Sequence, residues 1–120
     1  MGLNSLLLVF LGGGIGSVLR FLLSKLLPFE PNHFPWATLL SNILASVLLA
    51  FVVSQFKDIP KWSAIYPLIV VGICGGLSTF STFSYENFQL LQQGQLALFW
   101  FNVLFSFGLG LLAFWLLARH

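Results

Sequence analysis

Residues 72–87 read GICGGLSTFSTFSYEN and bring hydroxyl, aromatic and carboxylate side chains into an otherwise apolar part of the chain. On a helix, spacings of three and four residues would sort them into three stripes: Phe80, Phe83 and Asn87; Thr79, Thr82 and Glu86; and Ser78, Ser81 and Tyr85. Hydroxyl groups donate hydrogen bonds and the edge of a phenylalanine ring is weakly positive, so both can contact an anion. The stripes therefore suit the wall of a narrow pathway for something small, with ordinary packing of the phenylalanines as the alternative.

The two adjacent glycines, Gly75 and Gly76, predict that the helix breaks over residues 75–79. Each glycine lowers helix propensity by about 1 kcal/mol, and the serines and threonines that follow offer the backbone other hydrogen bonds. Irregular backbone at membrane depth is tolerated only where it is buried in protein or lines a cavity. Its free carbonyl groups can then bind a cation, while the amides that begin the next half-helix face an anion.

Three further polar side chains lie well inside apolar segments. Arg20 would cost about 2.5–3.5 kcal/mol at the centre of a bilayer, so it either extends to the headgroups or acts as a buried structural anchor. Asn42 and Ser106 lie on small, polar helix faces, and either helix packing or the lining of a pore explains them.

The elements that carry these residues are four apolar runs, at residues 3–27, 34–56, 62–91 and 96–118. The chain has 120 residues, of which 58% are hydrophobic and 7% are charged, a composition typical of an integral membrane protein. We therefore expect an all-α protein with a single four-span membrane domain over residues 1–120. No catalytic, nucleotide-binding or haem motif is visible, and a net charge of +2 does not favour a nucleic-acid partner, so an enzyme is not expected.

Few charges are available to orient such a chain in the membrane. Four spans place both termini on one side together with Lys57, Lys61 and Arg119. The other side has Lys25, or Lys25 and Arg20 if Arg20 is close enough to that end to count. This bias favours a cytoplasmic N-terminus but is small. Insertion in both orientations, and hence an antiparallel dimer, is compatible with it.

All four spans resemble the Fluc (CrcB) family of fluoride channels. The similar segments are GGGIGSVLRF, ATLLSNILASVLLAF, GICGGLSTFSTF and NVLFSFGLGLLAFW, of which the third is the most specific. The resemblance implies an antiparallel, dual-topology homodimer in the cell (inner) membrane, with two pores that export fluoride passively and confer fluoride resistance. Lipid and fluoride would be its other partners.

The same resemblance implies roles for individual residues. The fluoride pathway would be lined by Phe80, Phe83, Asn42 and Ser106, with Thr79, Thr82 and Glu86 on its polar side. A structural sodium ion would be held on the two-fold axis by the backbone carbonyls of Gly75 and Ser78, and Arg20 would stabilise the core of the dimer. The chain departs from some relatives at Asn102, where they have tyrosine, and at Ala45 or Ser46, where glycine is common.

Two other functions are compatible with the size of the chain. A proton-coupled small multidrug exporter also has four spans but relies on a carboxylate in its first helix, where this chain has none, so Glu86 would have to take over proton coupling. In a non-transporting assembly subunit, the polar stripes would serve helix packing alone.

Overall fold

The computed structural model describes residues 2–56, 58, 60 and 63–118, which contain helices and no strands. Helix α1 spans Leu3–Leu26 and α2 spans Trp36–Gln55. The third span has three parts: a π-helix, π1, over Tyr66–Ile73, then α3 over Cys74–Leu77 and α4 over Ser81–Gln92. Helix α5 spans Leu96–Ala118.

Four helical stretches are long and apolar enough to cross a bilayer: Leu3–Leu26, Trp36–Gln55, Tyr66–Gln92 and Leu96–Ala118. The chain is therefore a multi-pass membrane protein, and the expected four spans are confirmed. Trp62, where the third span was expected to begin, lies outside the described residues. So do Lys57, Lys61 and Arg119, on which the predicted orientation depends.

Two loops on one side of the membrane are joined by side-chain hydrogen bonds. The backbone amide of Asn32, in the loop after α1, donates to Gln93 Oε1 at 2.7 Å. Gln95 Nε2, in the turn before α5, donates to Asn32 Oδ1 at 2.9 Å. Asn32 has a φ of 64°, a conformation that asparagine tolerates better than most residues. The contact places the first and third connections on the same side, as four alternating spans require.

Glycines allow α1 to pack against the third span at backbone contact. A Cβ atom added to Gly12 would overlap the carbonyl oxygen of Leu68, and one added to Gly16 would lie 2.7 Å from the Leu77 amide nitrogen. Gly76 faces Ser17 of α1 in the same way, at 3.0 Å from its amide nitrogen. Small residues at a helix interface let two backbones approach closely, which drives association in lipid. This contact fixes where the third span lies beside α1.

The break in the third span is confirmed, but its position differs from the prediction. Gly75 and Gly76 are helical within α3, and the backbone becomes extended only at Ser78, where φ is −81° and ψ is 156°. Gly76 is needed for the contact with α1, which outweighs its low helix propensity. The interruption is therefore confined to residues 78–80.

Helix α2 is the most buried of the four spans and contacts α1, α3 and α5. Its buried face is largely small or polar and includes Ala37, Thr38, Ser41, Ala45 and Ala50. Most large apolar side chains of the chain point outward, towards lipid or another protein surface. Polar groups thus concentrate inside the bundle, where the break in the third span can find partners.

Candidate functional site

The side chain of Asn42, in α2, forms hydrogen bonds to the backbone of Thr79 at the break. The Thr79 amide donates to Asn42 Oδ1 at 2.8 Å. Asn42 Nδ2 donates to the Thr79 carbonyl oxygen at a longer distance of 3.4 Å. An amide side chain offers both a donor and an acceptor, so one residue can replace both backbone partners that the interruption removes. Asn42 thus holds both backbone polar groups of Thr79 in place, and we call this pair of hydrogen bonds the amide clamp.

Two hydroxyl groups form further hydrogen bonds around the break. Ser78 Oγ donates to the Cys74 carbonyl at 2.9 Å, at the end of α3. Thr79 Oγ1 accepts the amide hydrogen of Thr82 at 3.2 Å, at the beginning of α4. A threonine that accepts an amide three residues later is a common way to begin a helix. The hydroxyl groups of Ser78 and Thr79 therefore form hydrogen bonds to the backbone of α3 and α4. The stripe pattern in the sequence does not reveal this role.

The two phenylalanines that follow the break differ sharply in burial. Phe80 is 78% exposed in the single chain, whereas Phe83 is 9% exposed. Their ring centroids are 6.5 Å apart, and Phe83 also meets Phe107 of α5 edge to face at 6.5 Å and 86°. Phe83 thus has an intramolecular packing partner, while Phe80 projects from the chain.

A cleft of about 280 Å³ lies at the break. Its lining residues are Asn42, Ser46, Ser78, Thr79, Phe80, Phe83, Ser106 and Phe107. Five of the seven predicted pathway residues therefore meet in one place, contributed by three different spans. No formally charged side chain lines it, so it offers only hydroxyl and amide groups and ring edges. Such a surface can contact an anion through several weak donors.

The other two predicted pathway residues, Thr82 and Glu86, line a second cavity of about 340 Å³. Arg20, Thr38 and Ser41 also line it. Glu86 is only 7% exposed, and its Oε1 atom has no hydrogen-bond partner within the described part of the chain. The predicted polar side of the route is therefore divided between two cavities.

Arg20 meets the third span close to the break. Its Nε atom donates to the Gly76 carbonyl at 3.0 Å, and the side chain is partly buried. A charged donor to a backbone oxygen forms a stronger hydrogen bond than a neutral one. This contact supports the anchoring role predicted for Arg20 rather than extension to the headgroups.

The backbone near Gly75 has the donor chemistry expected for a small hard cation. In a continuous helix the Thr79 amide would bond to the Gly75 carbonyl, but here it donates to Asn42. Gly75 is exposed in the single chain, and nothing lies within 4 Å of the position a Cβ atom would take. Among the described residues there is no group of three or more histidine, cysteine, aspartate or glutamate side chains that would hold a metal. Backbone oxygens at Gly75 and Ser78 thus fit a cation that takes oxygen ligands.

Ser46 and Phe107 were not predicted to be functional, and Asn87 was predicted only as a member of the stripe with Phe80 and Phe83. Ser46 and Phe107 line the first cleft, and Asn87 lies buried beside α5. Ser46 follows Asn42 by four residues and so lies on the same small, polar face of α2, a spacing that was an available signal. The contact of Phe107 with Phe83 depends on how α5 packs, for which the sequence offers no direct signal.

Comparison with known proteins finds similarity along most of the chain. Residues 7–117 match the family described as CrcB-like protein, Camphor Resistance (CrcB). The chain is 41% identical over 111 residues to the fluoride-specific ion channel FluC of Phocaeicola vulgatus, which covers 92% of each chain. It is 43% identical to the protein of that name from Escherichia coli O17:K52:H18, covering 97% of this chain and 95% of the relative. The Proteus mirabilis protein of the same name is 40% identical, with 98% of both chains covered.

Proposed function

The chain belongs to the CrcB family, and from this membership and the cleft at the break we propose that it is a fluoride-selective ion channel and not an enzyme. Three relatives at 40–43% identity are named fluoride-specific ion channels. The single observation that carries the proposal is the uncharged cleft lined by Phe80, Phe83, Asn42, Thr79 and Ser106.

The chemistry of the cleft fits the passage of a small, strongly hydrated anion. Such an ion enters a narrow pore only if protein groups replace its water shell. Hydroxyl and amide donors and phenylalanine ring edges can do so without a fixed positive charge. Because no cationic side chain lines this cleft, the ion is not trapped there. Transport is then passive, and fluoride leaves the cell down its electrochemical gradient.

A second copy of the chain is proposed to complete the pathway. Phe80, Ser81 and Ser84 are all exposed in the single chain, next to irregular backbone at membrane depth. Irregular backbone is not tolerated against hydrocarbon, so we expect protein to cover this surface. An antiparallel homodimer of dual topology would cover it in both copies and create two equivalent pores.

A structural sodium ion is proposed where the two breaks meet. The backbone carbonyls of Gly75 and Ser78 from each copy would hold it, and it would supply positive charge to backbone oxygens left without helical partners. Oxygen ligands without a carboxylate suit a small monovalent ion. Arg20, bonded to the Gly76 carbonyl, would hold the neighbouring part of α3 in place.

Proton-coupled drug export remains the alternative, and the buried Glu86 with its unpartnered Oε1 is the observation that favours it. Two observations weigh against it. The cleft at the break and the second cavity measure about 280 and 340 Å³, on either side of the lower limit of about 300 Å³ that is usual for sites of drug-sized ligands. Glu86 lines the second cavity and not the cleft at the break.

Fluoride release from liposomes that contain the purified protein tests the proposal. A fluoride electrode would follow release after addition of a potassium ionophore, with chloride-loaded vesicles in parallel. We expect fast fluoride release without chloride release, abolished by Phe80→Ile. Phe10→Ile is the matched control, because Phe10 is 77% exposed on α1 and lines neither cavity. Folded dimers that release no fluoride would refute the channel and favour drug export through Glu86.

A further inference from the structure

Asn102 is a wholly buried polar residue of α5, with none of its surface exposed. A side-chain amide has two donor hydrogens and an acceptor oxygen, and burying them without partners is costly. An asparagine in the middle of an apolar helix therefore needs specific partners in the neighbouring turn or helix.

Two hydrogen bonds link Asn102 to both neighbours. Asn102 Nδ2 donates to Asn87 Oδ1 of α4 at 2.9 Å, and Asn87 is itself only 6% exposed. Ser106 Oγ donates to Asn102 Oδ1 at 3.3 Å, one turn along α5. Ser106 lines the cleft at the break. The three side chains thus form a continuous chain of hydrogen bonds from α4 to the wall of the cleft.

The direction of these bonds decides what Ser106 can offer to an ion. Because Asn87 accepts from the amide nitrogen of Asn102, the oxygen of Asn102 is turned towards Ser106. A serine hydroxyl has a single hydrogen, and here it is donated to Asn102. To contact an anion in the cleft, Ser106 must first transfer that hydrogen bond from Asn102 to the ion.

The length of the bond makes such an exchange easy. Hydrogen bonds between oxygen atoms are usually about 2.7–2.8 Å long, whereas this one measures 3.3 Å. Asn102 therefore competes for the Ser106 hydrogen without holding it firmly. An ion that draws the hydrogen away is bound less tightly than it would be by a free hydroxyl, and it is also released more readily.

We infer that Asn102 is a positioning residue that sets how strongly Ser106 holds the permeating anion. This inference rests on the proposed function of the cleft as a fluoride pathway. Asn102 itself does not touch the ion, since it is wholly buried. It acts through Ser106, and Asn87 fixes the orientation of its amide.

The test measures fluoride flux as a function of fluoride concentration in liposomes. The main variant is Asn87→Leu with Asn102→Leu, because removing both partners leaves no unpaired amide in the interior. With its competitor gone, Ser106 should bind the ion more tightly, and the half-saturating fluoride concentration should fall about two- to fivefold. The maximal flux should fall as well, because release is slower. Asn102→Leu alone provides a second variant with the same expectation.

The same changes in a Ser106→Ala background provide the control. If Asn102 acts through Ser106, the half-saturating concentration is then the same with and without the asparagines. If the asparagines had a purely structural role, their replacement would lower the amount of folded protein and change the half-saturating concentration equally in the Ser106 and Ser106→Ala backgrounds. This outcome would overturn the inference. An unchanged half-saturating concentration in the Ser106 background would overturn it too. Absence of fluoride flux in the unaltered protein would instead refute the proposed function.

Discussion

Replacing Asn42 with leucine tests whether the break depends on its amide clamp. Leucine has a similar size but offers neither the acceptor for the Thr79 amide nor the donor for the Thr79 carbonyl. An unsatisfied buried donor costs about 1–3 kcal/mol. The site is partly buried, and the carbonyl contact of 3.4 Å is longer than a good hydrogen bond, so the lower half of that range is expected. The free energy of unfolding should therefore fall by about 1–2 kcal/mol.

Amide hydrogen exchange gives the most direct measurement of this change. Peptides that contain Thr79 should lose protection by about 5- to 30-fold in the variant, which corresponds to the same energy. Tryptophan fluorescence during a detergent titration would report the global free energy of unfolding alongside. Ser54→Ala is a suitable control on the same helix, because its hydroxyl bonds only to the exposed Phe51 carbonyl at 2.7 Å. In this control, little change is expected in the free energy of unfolding or in the exchange protection of Thr79.

The result also separates two roles for Asn42. If it only lines the pathway, the leucine variant loses fluoride flux while exchange at Thr79 stays as in the unaltered protein. That outcome would refute the clamp, even though the channel proposal would survive. Loss of protection together with loss of flux is the result that the geometry predicts.

Three further outcomes are expected. Gly12→Ala should destabilise the fold by about 1–3 kcal/mol, because its Cβ atom would overlap the Leu68 carbonyl. Gly14→Ala, with nothing within 4 Å, should be neutral or stabilise the helix by up to about 1 kcal/mol, and thermal unfolding in detergent compares the two variants. Arg20→Met should lower the melting temperature through loss of the hydrogen bond to Gly76, and a melting temperature equal to that of the unaltered protein would argue against the anchor. Exchange of sodium for a bulky organic cation should reduce the dimer fraction in size-exclusion chromatography, since a bound ion stabilises the state that binds it, and an unchanged fraction would count against the proposed sodium site.

The sequence predicted the spans well because hydrophobicity and length are local properties. Four apolar runs became four helical spans, within a few residues at the ends that the structure describes. The break was also predictable in outline, since Gly75, Gly76 and the hydroxyl run weaken a helix in a recognisable way. What could not be predicted was its displacement to residues 78–80. That shift depends on Gly76 packing against α1, a contact between residues far apart in sequence.

The π-helix over Tyr66–Ile73 is a further feature without a sequence signal. Its wider turns appear in bonds such as that from the Cys74 amide to the Ile69 carbonyl, five residues earlier. Apolar periodicity in a membrane helix does not distinguish such turns, because every face is apolar. Pro67, which lacks an amide hydrogen, lies near its beginning. The π-helix packs on Gly12 of α1. Its wider turns therefore coincide with a tertiary contact, which local sequence does not reveal.

The cleft residues were partly predictable because Thr79, Phe80 and Phe83 are close in sequence within one span, and Phe80 and Phe83 belong to one predicted stripe. Asn42 and Ser106 needed the resemblance, since residues on different helices share no spacing rule. The division of Thr82 and Glu86 into a second cavity was not foreseen. Residues of one predicted stripe can face two cavities when a break and a neighbouring helix separate those cavities. Helical spacing in the sequence does not show such a separation.

The hydrogen-bond partners of the broken backbone bear on the proposed cation. The Thr79 amide is satisfied by Asn42, and the Gly76 carbonyl accepts from Arg20. The Gly75 carbonyl, one residue before Gly76, loses its helical partner because the Thr79 amide donates to Asn42 instead. In a membrane such an oxygen needs a partner from another source. A cation shared with the second copy would meet that need, which is why the sodium proposal, the dimer and the amide clamp depend on one another.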